Sequence, residues 1–436
     1  MATAQILTVG DELLSGDTIN SNLAFLGERC RRLGVEVVRA LSVRDRIDEI
    51  VAAVREAAAV DLLLVSGGLG PTSDDLTAEA VARACGVGLV RDAASEATIA
   101  AMFAARGREM PAINRKQADF PAGAEVLPNP NGTAPGFAVV QPGGCLVACM
   151  PGVPREMKAM MLEQVEPRVR ARFALPEIPR RVYRLIGKGE SAIAGDVEAI
   201  AAAARARSPG LAALYVHYRA ATPQVLLILE GLAGAGGARA SEAELRSFDG
   251  PLAAALAPAL YGIGEAEIEA RVLTACKRAG LWLATAESCT GGQVAARLTA
   301  HAGSSAVVRG GVVAYDNAVK VGVLGVPDEA IRAHGAVSEP VARAMAEGAR
   351  RVLAADVAVG ITGVAGPGGG SAEKPVGTVD VAVADAFGCT YKRLKLWGDR
   401  ALIQHAAATW ALKLIWDRLV ERGLAQVEEL DRFQAE

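Results

Sequence analysis

The fold of this chain is decided most clearly by residues 281–292, which read Leu281-Trp282-Leu283-Ala284-Thr285-Ala286-Glu287-Ser288-Cys289-Thr290-Gly291-Gly292. An apolar run leads into a short polar stretch with two glycines, and a helical pattern follows at 293–298. The stretch therefore predicts a strand at 281–285 and then a helix. Ser288 at this junction has two interpretations. It caps the helix, as serine commonly does, or it attacks a carbonyl carbon while backbone amides stabilise the oxyanion.

The same alternation of strand and helix patterns runs through most of the chain. In the first part, strands are predicted at 6–9, 35–38 and 62–65, and helices at 19–33, 47–59 and 77–85. In the last part, strands are predicted at 281–285, 310–315, 357–361 and 377–383, before a long helix at 400–424. This alternation predicts mostly parallel sheets with helices on both faces. Ligands of such sheets bind beyond the carboxyl ends of the strands.

Residues 178–255 have a different pattern. Two predicted strands, at 181–186 and 224–229, flank an alanine-rich helix at 193–204, and the Gly- and Ala-rich stretch 231–257 predicts a surface helix or hinge. We therefore expect three domains. Two three-layer α/β domains, at 1–172 and 262–426, are joined by a small α+β middle domain at 178–255 that serves for spacing or dimerisation.

Composition limits the class of protein. Hydrophobic residues make up 51% of the chain and charged residues 22%, which is typical of large folded cores. A net charge of −3 and an aromatic content of 4% argue against direct binding of nucleic acid. The seven cysteines form no CxxC pair, which predicts reduced thiols in a cytoplasmic protein. No uncharged apolar run has the length and continuity of a membrane span.

Three polar clusters follow predicted strands in the first part of the chain. A glycine-rich turn that opens a helix can hold phosphate through backbone amides, and neighbouring carboxylates suit a hard divalent cation. A single such cluster is equally explained by helix capping, but three clusters favour a nucleotide or phosphate site. Neither a Walker A loop nor a Rossmann GxGxxG is present. The clusters read Gly10-Asp11-Glu12, Ser66-Gly67-Gly68-Leu69-Gly70-Pro71-Thr72-Ser73-Asp74-Asp75-Leu76-Thr77, and Asn129-Pro130-Asn131-Gly132-Thr133-Ala134-Pro135-Gly136 with Met150-Pro151-Gly152-Val153-Pro154-Arg155-Glu156-Met157.

The second cluster resembles the signature of the molybdopterin-binding fold. The wider pattern resembles the competence/damage-inducible CinA family more closely, because Asn114-Arg115-Lys116-Gln117-Ala118 and the first and third clusters match as well. The resemblance implies a pyrophosphatase that cleaves ADP-ribose to AMP and ribose 5-phosphate. It also implies a divalent metal (Mg, Mn or Co), with potassium as a further candidate ion. Asp11 is a departure, since many relatives have threonine there.

The resemblance also implies which residues form this site. It assigns metal binding to Asp74 and Asp75, with Glu12 and Glu156 as partners. It assigns substrate binding to Gly68, Gly70, Thr72, Lys116 and Thr133, with Lys116 on phosphate.

The last part of the chain carries further polar stretches near predicted strand ends. A serine nucleophile needs a base, and none of the four histidines lies in a suitable setting. A lysine whose pKa is lowered can serve instead, and Ser–Lys pairs are a known variant of the triad. A single lysine is more commonly a solvated surface group, so Lys320 alone does not establish a Ser–Lys catalytic pair. The stretches are Tyr315-Asp316-Asn317-Ala318-Val319-Lys320, Thr362-Gly363-Val364-Ala365-Gly366-Pro367-Gly368-Gly369-Gly370 and Gly398-Asp399-Arg400.

Together with residues 286–292, these stretches resemble the C-terminal domain of the CinA family, a nicotinamide mononucleotide deamidase that needs no cofactor. Gly335-Ala336-Val337-Ser338 and Lys374-Pro375-Val376-Gly377-Thr378-Val379 also match. The resemblance implies that Ser288 attacks the amide carbon and that Lys320, oriented by Tyr315, takes the serine proton.

The same resemblance supplies the remaining roles. Thr362 and backbone amides near Gly291 or Gly363 would stabilise the oxyanion, and Arg400 would bind the 5′-phosphate. Gly292 and Gly366 complete the expected substrate contacts. Gln404 is a second departure, because many relatives carry arginine there, and it predicts weaker phosphate binding.

The sequence as a whole predicts a bifunctional cytoplasmic enzyme of pyridine nucleotide salvage. We expect nicotinamide mononucleotide and ADP-ribose as its small-molecule partners, neither membrane nor nucleic acid as a direct partner, and a homodimer, the commonest oligomer. Two alternatives remain open. The first is a molybdopterin-handling transferase in the N-terminal domain, and the second is a regulatory or binding protein in DNA uptake or damage response.

Overall fold

The chain forms two compact units, residues 1–178 and residues 179–436. The computed structural model describes residues 2–175, 177–232 and 239–434. The first unit contains one large sheet and a two-stranded ribbon, whereas the second contains two separate sheets. None of the helices in these described ranges is long and apolar enough to cross a membrane.

The first unit alternates strands and helices. Its strands are β1 (Thr3–Val9), β2 (Glu36–Val43), β3 (Leu62–Ser66), β4 (Leu89–Arg91), β5 (Asp119–Pro121), β6 (Glu125–Leu127), β7 (Gly136–Val140) and β8 (Leu146–Met150). Its helices are α1 (Asp11–Ser15), α2 (Ser21–Leu33), α3 (Ile47–Glu56), α4 (Thr77–Cys85), α5 (Ala93–Ala104), α6 (Pro154–Met160) and α7 (Glu166–Phe173). A π-helical turn at Met161–Val165 joins the last two helices.

The six-stranded sheet has the order β2-β1-β3-β8-β7-β6. The first four strands are parallel, and the last two run antiparallel to their neighbours. Side chains alternate between the two faces, so that Ile6 and Leu64 pack towards α2 and α6 while Leu7 and Leu63 pack towards α3 and α4. The predicted three-layer α/β fold is therefore confirmed, with an antiparallel edge that the sequence did not indicate.

The second unit has nine strands and nine helices in its described part. The strands are β9 (Arg180–Ile186), β10 (Leu214–Ala221), β11 (Gln224–Gly231), β12 (Leu260–Ile263), β13 (Leu283–Glu287), β14 (Val308–Val313), β15 (Val357–Gly363), β16 (Thr378–Asp385) and β17 (Gly388–Lys395). The helices are α8 (Glu190–Arg205), α9 (Glu242–Arg246), α10 (Asp249–Leu256), α11 (Ile268–Ala279), α12 (Gln293–Thr299), α13 (Asn317–Gly322), α14 (Asp328–His334), α15 (Glu339–Val352) and α16 (Arg400–Glu421).

An antiparallel sheet of order β10-β11-β9-β12 opens the second unit. Helices α8, α9 and α10 supply the apolar side chains that cover one of its faces. Two short helices, α9 and α10, stand where the sequence predicted one surface helix or hinge, and residues 233–238 of that stretch lie outside the described residues. The chain after α16 returns to β12, where Ile263 exchanges backbone hydrogen bonds with Glu428 and Leu430.

The larger sheet of the second unit has the order β14-β13-β15-β16-β17. Its first three strands are parallel and its last two antiparallel. Leu283 packs towards α11, α12 and α16, whereas Ala284 packs towards α15, so this sheet also has helices on both faces. Strand β13 lies two residues later than predicted, because its register places Glu287 opposite Val313 and Ile361. Glu287 is thus the last residue of a strand.

Candidate active sites

A cavity of about 430 Å³ lies at the carboxyl edge of the six-stranded sheet. Asn22 on α2 joins the chain segments around it, since its Nδ2 donates to Ser66 Oγ at 2.9 Å and to the Gly152 carbonyl at 2.7 Å. The lining comes mainly from the segments after β1, β3 and β8. It includes the predicted site residues Glu12, Gly68, Gly70, Asp74, Asp75, Thr133 and Glu156.

The turn after β3 requires glycine for a close approach of the backbone. Gly68 has a φ of +68°, and a Cβ there would lie 2.3 Å from Thr77 Oγ1. The Thr77 hydroxyl donates to the Gly67 carbonyl at 2.7 Å and so fixes the turn to the start of α4. A side chain at position 68 would push the turn away from the start of α4, so glycine is needed for this turn to pack as it does.

The four carboxylates expected to bind metal line one cavity without forming a ready cluster. Asp75 accepts hydrogen bonds from the amide and the hydroxyl of Thr72, and Glu156 accepts one from Asn129 Nδ2 at 2.7 Å. No three acidic, His or Cys side chains of the described residues lie close enough to hold a metal ion. The metal-binding role of these four residues stays a prediction. The oxygen donors still fit Mg²⁺, which commonly uses one or two carboxylates together with substrate phosphates.

Asp45 is a cavity residue that the sequence reasoning missed. It follows β2 and accepts a hydrogen bond from the Asp11 amide at 2.8 Å. Burial raises the pKa of Asp45, and the charges of Asp11, Glu12 and Asp74 raise it further. The predicted strand ended at residue 38, whereas β2 continues to Val43, so Asp45 was not recognised as following a strand end. The crowded negative charge favours a bound cation.

Lys116 and Thr72 lie beside this cavity. Lys116 Nζ donates to the Thr72 carbonyl at 2.8 Å. Both residues line an adjacent hollow, which also includes Arg91 and Arg115. The expected phosphate contact of Lys116 therefore belongs to a basic surface next to the acidic cavity.

The second site is built around Ser288, the first residue after β13. Its amide donates to the Ile361 carbonyl at 2.9 Å, which places the residue beside the end of β15. The next residue, Cys289, is buried, and burial raises the pKa of its thiol to about 12. A thiol in this state is a poor nucleophile, which leaves the Ser288 hydroxyl as the candidate nucleophile of this turn.

Lys320 is a buried amine at the same edge of the sheet. It is 1% exposed, and its Nζ donates to the carbonyls of Ala314 at 2.8 Å and Tyr315 at 3.2 Å. Burial lowers the pKa of Lys320, against the opposing charge of Asp316. In its neutral form this amine has two N–H groups and one lone pair. The two carbonyls satisfy both N–H groups of that form, so its lone pair would be free to accept a proton, and burial shifts the equilibrium towards it.

Backbone pairing brings the Lys320 amine towards the Ser288 turn. The Ala314 amide donates to the Glu287 carbonyl at 2.8 Å, directly before Ser288. Burial raises the pKa of the Cys289 thiol, and the charges of Arg400 and Lys320 oppose this rise, since both side chains lie near the turn.

Tyr315 and Arg400 meet away from the amine. Arg400 donates from Nη2 to the Tyr315 hydroxyl at 2.8 Å and from Nη1 to the Gly366 carbonyl at 2.6 Å. The Tyr315 side chain is exposed. The backbone carbonyl of Tyr315 thus binds the Lys320 amine, while its phenol binds Arg400. That Tyr315 orients Lys320 in catalysis stays a prediction.

Thr362 and Gln404 contact the backbone of this site. The Thr362 hydroxyl donates to the Ala336 carbonyl at 2.8 Å, and Gly363 follows it at the end of β15. Gln404 Nε2 donates to the Cys289 carbonyl at 2.7 Å. Gln404 thus holds the Ser288 turn (residues 288–292), a contact that no local sequence pattern could indicate.

The glycines of the turn do not provide free amides. The Gly291 amide donates to the Ser288 carbonyl at 3.1 Å, and the Gly292 amide donates to the Glu287 carboxylate at 3.1 Å. These two N–H groups already have acceptors, so the predicted oxyanion contact would need another N–H group near Gly291 or Gly363, and it stays a prediction.

Fold and sites define a protein of two α/β units, each with polar groups gathered at the carboxyl edge of a sheet. Residues 5–171 match the family model described as a probable molybdopterin binding domain, and residues 265–419 match the CinA C-terminal domain. The chain belongs to the CinA family.

The family assignment rests on relatives that match nearly the whole chain. A CinA-like protein of Gemmatimonas aurantiaca is 42% identical over 421 residues, which cover 94% of each chain. One of Anaeromyxobacter dehalogenans is 44% identical over 416 residues, covering 94% of this chain and 98% of that one. The crystal structure of a CinA protein of unknown function from Thermoplasma acidophilum is 38% identical, with a TM-score of 0.35, and covers 38% of this chain and 97% of that one.

Proposed function

We propose that the second unit is a nicotinamide mononucleotide deamidase that acts in cytoplasmic pyridine nucleotide salvage. The carrying observation is the buried Lys320 amine, which is bound by two backbone carbonyls at the sheet edge that also holds Ser288 and whose pKa is lowered by burial. Membership of the CinA family supports the substrate.

In the proposed reaction, Ser288 Oγ attacks the carboxamide carbon while Lys320 takes the hydroxyl proton. The C–N bond then breaks, and Lys320 returns the proton to the departing nitrogen, which leaves as ammonia. Water attacks the resulting ester, gives a proton to Lys320, and releases nicotinic acid mononucleotide as the serine recovers its proton. Arg400, held by Tyr315 and Gly366, would bind the 5′-phosphate.

The test is ammonia release from nicotinamide mononucleotide by three forms of the full chain. We expect the wild type to be active, Ser288→Ala to be inactive, and Cys289→Ala to retain activity, since its thiol is buried and protonated. An inactive wild type, or a Ser288→Ala variant of equal activity, would refute the assignment.

We further propose that the first unit hydrolyses ADP-ribose to AMP and ribose 5-phosphate with a divalent metal. The supporting observation is the set of carboxylates, Asp45 among them, that lines its cavity. Glu12, Asp74, Asp75 and Glu156 would hold the cation together with substrate phosphates. When bound, such a cation would neutralise phosphate charge and polarise the phosphoryl oxygens.

A second candidate for the first unit is a molybdopterin-handling transferase, which the description of the matching family model favours. Metal-dependent release of AMP from ADP-ribose discriminates between the two. We expect AMP release by the wild type with Mg²⁺, and loss of it with a chelator or in Asp75→Ala. Absence of AMP release from the wild type with Mg²⁺, Mn²⁺ or Co²⁺ would favour the transferase.

We also propose that the full chain is a homodimer, in keeping with the prevalence of two-fold assemblies. Sedimentation equilibrium should report about twice the chain mass of 44.9 kDa. A monomer mass across micromolar concentrations would contradict this proposal.

A further inference from the structure

The carboxylate of Glu287 lies directly before the candidate nucleophile and is fully buried. Its Oε1 accepts a hydrogen bond from the Ala295 amide at 2.9 Å. Its Oε2 accepts from the Thr290 hydroxyl at 2.8 Å, the Gly292 amide at 3.1 Å and the Val294 amide at 3.0 Å. Four donors therefore hold this carboxylate, one on Oε1 and three on Oε2. Because the side chain is also fully buried, it does not reach a substrate as a base.

The donors come from the turn that carries Ser288 and from the first residues of α12. Amides at a helix start lack partners within the helix and attract an anion. Here the chain supplies that anion itself, since Glu287 binds the amides of Gly292, Val294 and Ala295. The positive end of α12 is therefore neutralised before any substrate arrives. It cannot also stabilise an oxyanion.

The remaining contacts hold both sides of the Ser288 turn. The Ser288 amide is bound to the Ile361 carbonyl, and the Cys289 carbonyl is bound to Gln404. Glu287 holds the C-terminal side of the turn, where its carboxylate binds the amide of Gly292, a residue with a φ of +100°. Loss of its carboxylate would leave three amides without an acceptor, that of the buried Val294 and those of the half-buried Gly292 and Ala295, and the turn would rearrange so that they bind water.

We propose that Glu287 is a positioning residue of the Ser288 turn. Its carboxylate fixes the turn and the start of α12 so that the serine hydroxyl faces the substrate, and oxyanion stabilisation falls to donors outside the start of this helix. The proposal rests on the deamidase function proposed for the second unit.

The test compares Glu287→Gln with Glu244→Gln in the full chain. Glu244 is a matched control, because its carboxylate also accepts a backbone amide at a helix start, that of Ser241 at 2.7 Å in the capping box of α9. For Glu287→Gln we expect kcat for ammonia release to fall about 100-fold, the scale of a misplacement of about 1 Å, with KM within about threefold of the wild type. Glu244→Gln should keep both constants.

Hydrogen exchange gives a readout that is independent of activity. The amides of Gly292, Val294 and Ala295 should exchange faster in Glu287→Gln and at the wild-type rate in Glu244→Gln. The proposal is overturned if Glu287→Gln keeps kcat within about twofold of the wild type while folded, or keeps the protection of these amides.

A second variant covers the case in which Glu287→Gln does not fold. Thr290→Val removes only one donor from the carboxylate, and kcat should fall several-fold with KM unchanged; an unchanged kcat would overturn the proposal.

If the wild type releases no ammonia, the proposed function fails, and the rate of Ser288 labelling by a fluorophosphonate replaces kcat. Slower labelling of Glu287→Gln, or of Thr290→Val if the former does not fold, then supports the positioning role. Labelling at the wild-type rate overturns it.

Discussion

At the scale of single residues, the buried Lys320 couples stability to pH. Burial lowers its pKa below the ordinary 10.5, so the folded state disfavours the ammonium form. Below the folded pKa the folded protein carries the full penalty of a buried charge. The penalty is lost as pH rises through the folded pKa towards 10.5, because the unfolded chain then binds more protons than the folded one.

Replacement of Lys320 by methionine should therefore have opposite effects on stability and activity. We expect Lys320→Met to raise the melting temperature at pH 7, by an amount that shrinks towards pH 10, and to lower ammonia release by about 10²–10⁴-fold. The wild-type kcat/KM should rise with pH to a midpoint below 10.5. Calorimetry and a pH–rate profile measure these effects. Lys395→Met, at an exposed position, is the control, and equal melting shifts in both variants would contradict the argument.

The hydrogen-bonded pair Arg400 and Tyr315 gives a second prediction about single residues. Because the Tyr315 phenol accepts from Arg400 at 2.8 Å, its removal frees the guanidinium rather than the Lys320 amine. We expect Arg400→Met to raise KM for nicotinamide mononucleotide by about 10–100-fold, as for loss of a hydrogen bond to a charged group. Tyr315→Phe should raise it less, and the double variant should match Arg400→Met alone. Steady-state kinetics of the wild type, the two single variants and the double variant measure these KM values. Additive effects of the two substitutions on log KM would contradict the expected coupling between Tyr315 and Arg400.

At the scale of elements, three helices meet behind the Ser288 turn. Arg297 on α12 donates to Glu269 on α11 at 2.5 Å and to the Thr409 hydroxyl on α16 at 2.7 Å. Glu269 is buried, and no described residue bonds to its Oε2. Arg297 is therefore the principal partner of a buried carboxylate and joins α12 to the two helices that flank it.

Loss of Arg297 alone should destabilise the second unit strongly. We expect Arg297→Leu to reduce the free energy of unfolding by about 3–5 kcal/mol, because it leaves Glu269 charged and buried. The double variant with Glu269→Leu should recover most of that loss.

Urea denaturation measures these differences. Arg332→Leu, which removes the exposed ion pair with Asp328, should change stability by less than about 1 kcal/mol. A double variant as unstable as Arg297→Leu would show that packing, rather than charge, is responsible.

The helices and strands also show how much of the fold and of the candidate sites the sequence could predict. Local periodicity identified the strand–helix alternation and placed Ser288 and Thr362 at strand ends. It placed β13 two residues early, because the bounds of that strand depend on pairing with β14 and β15. Strand β17 was missed because three of its eight residues, Lys392, Arg393 and Lys395, are charged and exposed. Asp45, Glu287 and Gln404 gain their roles from contacts or pairings that one segment of sequence does not contain.

At the scale of the whole molecule, the boundary at residues 178 and 179 separates two bodies with their own cores. Each proposed site lies within one of them. The second unit includes the β9–β12 sheet, because β12 pairs with the chain after α16 and Arg271 donates to the Glu428 and Leu430 carbonyls. A shorter fragment that begins after β12 would lose the strand to which this tail binds.

We therefore expect residues 1–178 and 179–436 to fold separately when expressed alone. The second fragment should release ammonia from nicotinamide mononucleotide at the full-chain kcat/KM, and a fragment that begins at residue 265 should melt at a lower temperature than it. Thermal unfolding and the ammonia assay test this division. A more than tenfold loss of kcat/KM in the folded fragment 179–436 would mean that the second site needs the first unit.

The pairing of β12 with the tail also sets the order of events during synthesis. The ribosome adds about 5–20 residues per second from the N-terminus, so all the strands of the first unit emerge early. Arg271, in contrast, waits for Glu428 and Leu430, which follow it by 157 and 159 residues, and Ile263 pairs with the same two residues. Until these residues emerge, the nascent second unit exposes an unpaired strand edge and an arginine side chain that is buried in the folded protein.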